Sequence, residues 1–139
     1  MTRTALRAVI VGSGSIAPFY AQGLLDLDEV DLAGFADRHP ERAATLAVSF
    51  GAMSYPTVDD AIGDPDVDVV INLTPPAAHF TVSRSAVRAG KHVYVEKPIG
   101  LTLKEGNALV ELAASSGVVL GAAPETFLGS AGQTARTAL

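Results

Sequence analysis

The chain has 139 residues, 48% of them hydrophobic and 18% charged, with a formal net charge of -5. A single α/β domain of that size buries about two-thirds of its unfolded surface, and the composition argues against disordered and disulfide-stapled classes. Ten scattered basic residues argue against a nucleic-acid surface, and the absence of cysteine excludes disulfides, thiolate metal sites and a cysteine nucleophile.

At the N-terminus, Ala8 to Val11 is too short an apolar run for a signal-peptide core or a membrane span, so the expectation is a cytoplasmic protein with no membrane partner. Leu6 to Val11 reads as a strand covered on both faces, ended by Gly12 and followed by helical spacing from Ser15 to Leu27. Asp31 to Ala36 is a second strand, Asp37 to Pro40 a turn, and Glu41 to Phe50 a helix whose Ala43, Leu46, Ala47 and Phe50 recur at helical intervals. A brief strand at Met53 to Tyr55 leads to a short helix over Thr57 to Ile62, with Thr57 as its cap and Asp59 and Asp60 in its first turn.

The β-branched run Val67 to Leu73 predicts a strong strand, stopped by Thr74-Pro75-Pro76, with a helix over Ala78 to Ala89 and Gly90 as its cap. His92 to Val95 is a further strand, Thr102 to Ser116 a helix with Thr102 and Glu105 spaced as a capping box, and Val118 to Ala122 a last strand. Gln133 to Leu139 looks like the start of another helix. Such alternation predicts a doubly wound, Rossmann-like parallel sheet whose strand ends gather Gly12, Asp37, Thr74 and Glu96 near one crevice.

Gly12-Ser13-Gly14-Ser15-Ile16-Ala17 fits the G-x-G-x-x-G/A fingerprint, in which the first glycine permits a tight turn and the second lets the backbone approach a pyrophosphate. Asp37 follows about twenty residues later, where an acidic side chain takes the adenosine ribose hydroxyls and favours NAD. Arg38 beside it pulls the other way, toward the 2′-phosphate of NADP or toward stacking on adenine. Leu73, Thr74, Pro75 and His79 fall where the ribose and nicotinamide would lie, although His79 read from the residues alone is more simply a structural histidine at a helix start. His39 and His92 read as solvated or structural. Lys97 in Glu96-Lys97-Pro98 stands at a strand's carboxyl edge, where an ammonium polarises a carbonyl or passes a proton. Glu96 either stabilises that charge or contacts ribose.

With these residues in place, the chain resembles the N-terminal half of the glucose-fructose oxidoreductase, inositol dehydrogenase and rhizopine-catabolism family, Gfo/Idh/MocA. The resemblance rests on Gly12 to Ala17, on Thr74-Pro75-Pro76 with His79, and above all on Gly90-Lys91-His92-Val93-Tyr94-Val95-Glu96-Lys97-Pro98. It implies NAD or NADP, NAD slightly favoured, held by Gly12, Ser13, Gly14, Ser15, Ile16, Asp37, Arg38, Leu73, Thr74, Pro75, His79, Glu96 and Lys97. Lys97 would be the catalytic residue, assisting proton transfer as hydride moves to or from a sugar or polyol carbon, with no metal.

The same resemblance implies that residues 1–122 are the dinucleotide domain and 123–139 a connecting segment, with Pro124 to Phe127 crossing toward a C-terminal substrate domain that is absent. On that expectation the chain is truncated, inactive by itself, and exposes surface that leaves aggregation or a homo-oligomer open. The alternative is a stand-alone NAD(P)-binding regulatory or interaction module without catalysis.

Overall fold

The structure is a computed structural model that describes residues 5–123 and 130–138. The elements run β1 (Leu6–Val11), α1 (Ala17–Leu25), β2 (Val30–Ala36), α2 (Pro40–Phe50), β3 (Met53–Ser54), α3 (Val58–Gly63), β4 (Val69–Asn72), α4 (Pro76–Arg88), β5 (His92–Val95), α5 (Leu103–Ser116), β6 (Leu120–Ala122) and α6 (Ser130–Thr137). Expected elements are all present, with shifts at their ends. Prolines account for some of these: Pro18, Pro40 and Pro76 each occupy the first turn of a helix, where a missing amide hydrogen costs nothing, so α2 and α4 start earlier than the periodicity suggests. The expected crossing at Pro124 to Phe127 lies outside the described residues. Among the described residues, no helix is long and apolar enough to cross a membrane.

The strands form one six-stranded sheet in the order β3-β2-β1-β4-β5-β6, and every pairing is parallel. The chain winds outward from β1 in one direction through β2 and β3, then returns and winds the other way from β4 to β6. The order reverses between β1 and β4, the position at which a crevice opens outside the carboxyl ends of such strands. Register there is tight, with Val11 opposite both Ala36 and Asn72, and Asn72 opposite Val95.

The apolar run of β1 is divided between two cores because successive side chains point to opposite faces. Val9 and Val11 pack with Val70, Val93 and Val95 beneath Ala86, Val87, Leu109 and Ala113 of α4 and α5. Ala8 and Ile10 pack with Phe35 and Ile71 beneath Ala17 and Ala21 of α1 and Ala43 and Ala47 of α2. Each fully buried Ile10- or Phe35-sized side chain contributes about 2–3 kcal/mol of transfer free energy. Small residues on α1 and α2 let those helices approach closely, and Phe35 fills the gap against Phe50 with ring centroids 5.8 Å apart.

The opposite, amino-terminal edge of the sheet is tied by polar contacts. Lys91 is buried, and its Nζ donates to the carbonyls of Asp64 and Val67, each at 2.7 Å. Tyr55 donates to Asp64 at 2.6 Å. Burial, then the Asp64 carboxylate, pushes the Tyr55 phenol up from 10.0 to about 12, while the Tyr55 hydroxyl holds Asp64 below its ordinary range.

Candidate dinucleotide site

At the switch point the chain leaves β1 through Gly12, whose φ of +102° lies in the left-handed region. Its amide donates to Ala36 at 2.8 Å, which presses the turn against β2. A β-carbon at Gly12 would lie 2.6 Å from the carbonyl carbon of Leu73 and 2.7 Å from both the Leu73 oxygen and the Thr74 nitrogen, so only glycine fits between β1 and the end of β4. Gly14 differs: a β-carbon there would meet nothing within 4 Å. It would point into open space above the start of α1.

Gly14 also lines a cleft of about 560 Å³ whose walls include Gly12, Ser15, Ile16, Asp37, Arg38, Leu73, Thr74 and Pro75. The structure thus brings together most of the residues singled out in the sequence. Asp37, at the end of β2, is fixed from two sides: Ser13 N donates to Oδ2 at 2.7 Å and His39 N to Oδ1 at 2.8 Å. Its carboxylate is therefore held against the glycine turn. Arg38 is exposed, with Nε 3.1 Å from His39 Nε2.

Thr74 is held from behind. Its amide and hydroxyl donate to Asn72 Oδ1 at 3.2 and 2.6 Å, while Asn72 Nδ2 donates to the His79 carbonyl at 3.0 Å and to Ser83 Oγ at 2.9 Å. His79 is 1% exposed and is not part of the cleft wall. Its ring lies between two carbonyls, with Nε2 2.6 Å from Thr74 O and Nδ1 2.6 Å from Pro98 O. The histidine therefore braces the cleft from inside the protein, linking the loop after β4 to the loop after β5.

Glu96 and Lys97 also lie outside the cleft wall, on the loop after β5, next to β4. The Glu96 amide donates to Asn72 O at 3.0 Å, which keeps this loop beside the Thr74 loop. Glu96 is half-buried: Oε1 accepts from the Tyr20 hydroxyl at 2.7 Å and Oε2 from the Lys97 amide at 3.0 Å. Lys97 is exposed, and its peptide to Pro98 is cis.

Sequence reading missed several contributors, among them Arg42, Val58 and Val82 in the cleft wall, His39 there too although it reads as solvated or structural, and Tyr20 against Glu96. Arg42 carried a usable signal, one helical turn beyond Arg38. Tyr20 carried none, because its partner is 76 residues away.

The residues present fit a dinucleotide. Ser13 Oγ is buried and has no hydrogen-bond partner among the described residues, an orphan donor within the glycine turn. The first amides of α1 are already engaged, Ala17 N with Gly14 O at 3.1 Å and Phe19 N with Ile16 O at 3.1 Å, and Pro18 has none, so an anion here would be met by the glycine turn that precedes the helix.

Comparison with known proteins agrees with this geometry. Residues 6–123 match the family described as the oxidoreductase family, NAD-binding Rossmann fold, GFO_IDH_MocA. The UDP-N-acetylglucosamine 3-dehydrogenase of Acidithiobacillus ferrooxidans is 35% identical over 115 residues, covering 83% of this chain and 36% of that protein. GenD2 from gentamicin A biosynthesis, solved with NAD, superposes with a TM-score of 0.82 at 33% identity, covering 88% of this chain and 35% of its own. The biliverdin reductase of Synechocystis sp. PCC 6803, solved with biliverdin and NADP+, superposes at 0.85 with 30% identity, covering 95% and 42%. The chain spans about a third of the length of the curated relatives it matches. With the fold, the fingerprint and the family match in agreement, this chain belongs to the Gfo/Idh/MocA oxidoreductases and constitutes their NAD(P)-binding Rossmann domain.

Proposed function

We propose that the chain holds NAD or NADP across the switch point and supplies the cofactor half of an oxidoreductase acting on a hydroxyl carbon of a sugar, polyol or related compound. The observation that carries the reading is the glycine turn at the start of α1, with the orphan Ser13 hydroxyl beside it and the Asp37 carboxylate at its flank. Ser13, Gly14 and Ser15 of the glycine turn would take the pyrophosphate, Asp37 the adenosine ribose, and Thr74 and Pro75 would line the path toward the nicotinamide. Arg38 and Arg42 border the adenosine end of the cleft and would tolerate a 2′-phosphate, whereas the fixed Asp37 carboxylate disfavours one.

The cofactor, held by these residues, would supply or accept hydride at its nicotinamide ring. Lys97 manages the accompanying proton: as an ammonium it gives a proton to the oxygen of a carbonyl being reduced, and as an amine it takes one from a hydroxyl being oxidised. Glu96 sits beside this lysine through the Lys97 amide. Residues 1–122 form the dinucleotide domain in this proposal, and 123–139 lead toward a substrate domain. The sugar or polyol class is supported by the resemblance to a nucleotide-sugar dehydrogenase.

Calorimetric titration of the folded chain with NADH and NADPH tests the cofactor assignment. Saturable binding with NADH preferred is expected, and no binding of either by a chain that melts cooperatively would refute it. Mixed with inositol or glucose and oxidised cofactor, the chain alone is expected to give no reduced cofactor above background.

A further inference from the structure

We propose that Tyr20 is a positioning residue for the nicotinamide end of the site, acting through Glu96; this rests on the dinucleotide reading above. Tyr20 lies on α1, one turn beyond the glycine-rich loop, with its amide bonded to Ile16 O at 3.3 Å. Its hydroxyl donates to Glu96 Oε1 at 2.7 Å, a charge-assisted geometry. The ring does not stand alone: it tilts against Tyr94 at a centroid distance of 6.1 Å and an interplanar angle of 52°. Tyr94 belongs to β5, which ends at Val95 immediately before Glu96, so the phenol is aimed by the strand that leads into the carboxylate it holds.

The other carboxylate oxygen of Glu96 accepts from the Lys97 amide at 3.0 Å. With one oxygen committed to α1 and the other to the Lys97 backbone, the carboxylate has a single orientation, and the backbone that carries Lys97 inherits it. Past Lys97, Pro98 O meets the His79 ring at 2.6 Å. Lys97 thus hangs from a backbone gripped before and after it, and Tyr20 is the only grip that comes from α1 among the described contacts. The helix that follows the glycine turn therefore carries, at its fourth residue, the hydroxyl that orients the far end of the site. A single helix links the pyrophosphate, at the middle of the bound dinucleotide, to its nicotinamide end.

The test compares NADH with ADP-ribose, which presents the same adenosine, pyrophosphate and ribose but no nicotinamide. Calorimetric titrations would use the wild-type chain, Tyr20→Phe, Glu96→Ala and the double variant, each checked by thermal melting. Tyr20→Phe keeps the ring and its contact with Tyr94, so the fold is retained. It is expected to weaken NADH about five- to tenfold, less than the full worth of a hydrogen bond to a charged group because the effect reaches the ligand through Glu96, and to leave ADP-ribose within about twofold. On the Glu96→Ala background, Tyr20→Phe is expected to change NADH affinity by less than about twofold, because its effect passes through that carboxylate.

Equal weakening of both ligands would show that the tyrosine acts only on packing, and full additivity with Glu96→Ala would show that it acts elsewhere; either overturns the proposal. A wild-type chain that binds ADP-ribose as tightly as NADH would overturn it while leaving the dinucleotide site intact. A wild-type chain that binds neither removes the dinucleotide reading itself, and the proposal with it.

Discussion

Gly12 and Gly14 belong to one motif but face opposite surroundings, and substituting each separates folding from binding. Gly12→Ala places a methyl group within 2.7 Å of three main-chain atoms at the end of β4, in a residue whose φ is +102°. The left-handed backbone costs an alanine about 1–2 kcal/mol. Relieving contacts with main-chain atoms, which cannot rotate away, costs about 1–3 kcal/mol more. A total of roughly 2–5 kcal/mol is a large part of the 5–15 kcal/mol that stabilises a typical domain, and corresponds to a fall in Tm on the order of 10 °C or more.

Gly14→Val meets no atom within 4 Å at its β-carbon, and its stability is expected to stay within about 0.5 kcal/mol of wild type. Gly14 lines the cleft that the pyrophosphate would occupy, and a branched side chain there is expected to lower NADH affinity by at least about tenfold. Circular dichroism melts read the first effect and calorimetric titration the second. A Gly12→Ala chain melting within about 2 °C of wild type would refute the close-approach argument. A Gly14→Val chain that binds NADH normally would refute the cradle.

Replacing Asp37 by serine removes the carboxylate that opposes a 2′-phosphate while leaving Arg38 and Arg42 in place, and is expected to raise the ratio of NADPH to NADH affinity at least about tenfold; an unchanged ratio in titration would place cofactor choice elsewhere. Asn72→Ala would strip partners from Thr74, His79 O and Ser83 Oγ around a fully buried site, at a cost of about 3–5 kcal/mol in urea unfolding, and a loss below about 1 kcal/mol would contradict the bracing role. Tyr55 is neutral over a wider range in the folded chain than in the unfolded one, so its contribution is complete below pH 10.0 and fades as pH rises toward about 12. Urea midpoints followed up the alkaline limb should fall less steeply in Tyr55→Phe than in wild type. Asp64, held low by the Tyr55 hydroxyl first and the Asp66 amide second, contributes above the ordinary carboxylate range and loses that contribution as pH falls through its depressed value. Tyr55→Phe should therefore also flatten the acid limb, and parallel curves for the two proteins would contradict the assignment.

The sheet was legible because its strands are short, β-branched or continuously apolar, and punctuated by glycine and proline. Val69 to Asn72 and His92 to Val95 lie inside runs that no amphipathic helix would use. Helix starts were less legible, since Pro40 and Pro76 read as stops to a periodicity argument and are starts in three dimensions. The glycine turn, Asp37 and Thr74 were visible because each directly follows a strand. What periodicity could not show was the side from which each residue acts. His79 sits in a recognisable motif, yet its contacts are two main-chain carbonyls, atoms that every residue possesses and that no pattern of side chains announces.

The nine-residue run from Gly90 to Pro98 carries one lysine at each end of β5, and only Lys97 meets solvent. Lys91 has its ammonium seated on two carbonyls, at the far edge of the sheet from the crevice. An amine-modifying reagent therefore encounters this run as though it held a single lysine. Reductive methylation or acetylation of the native chain should label Lys97 readily and Lys91 only after unfolding, so the labelling pattern of this run reports both the exposure of the crevice edge and the integrity of the opposite one.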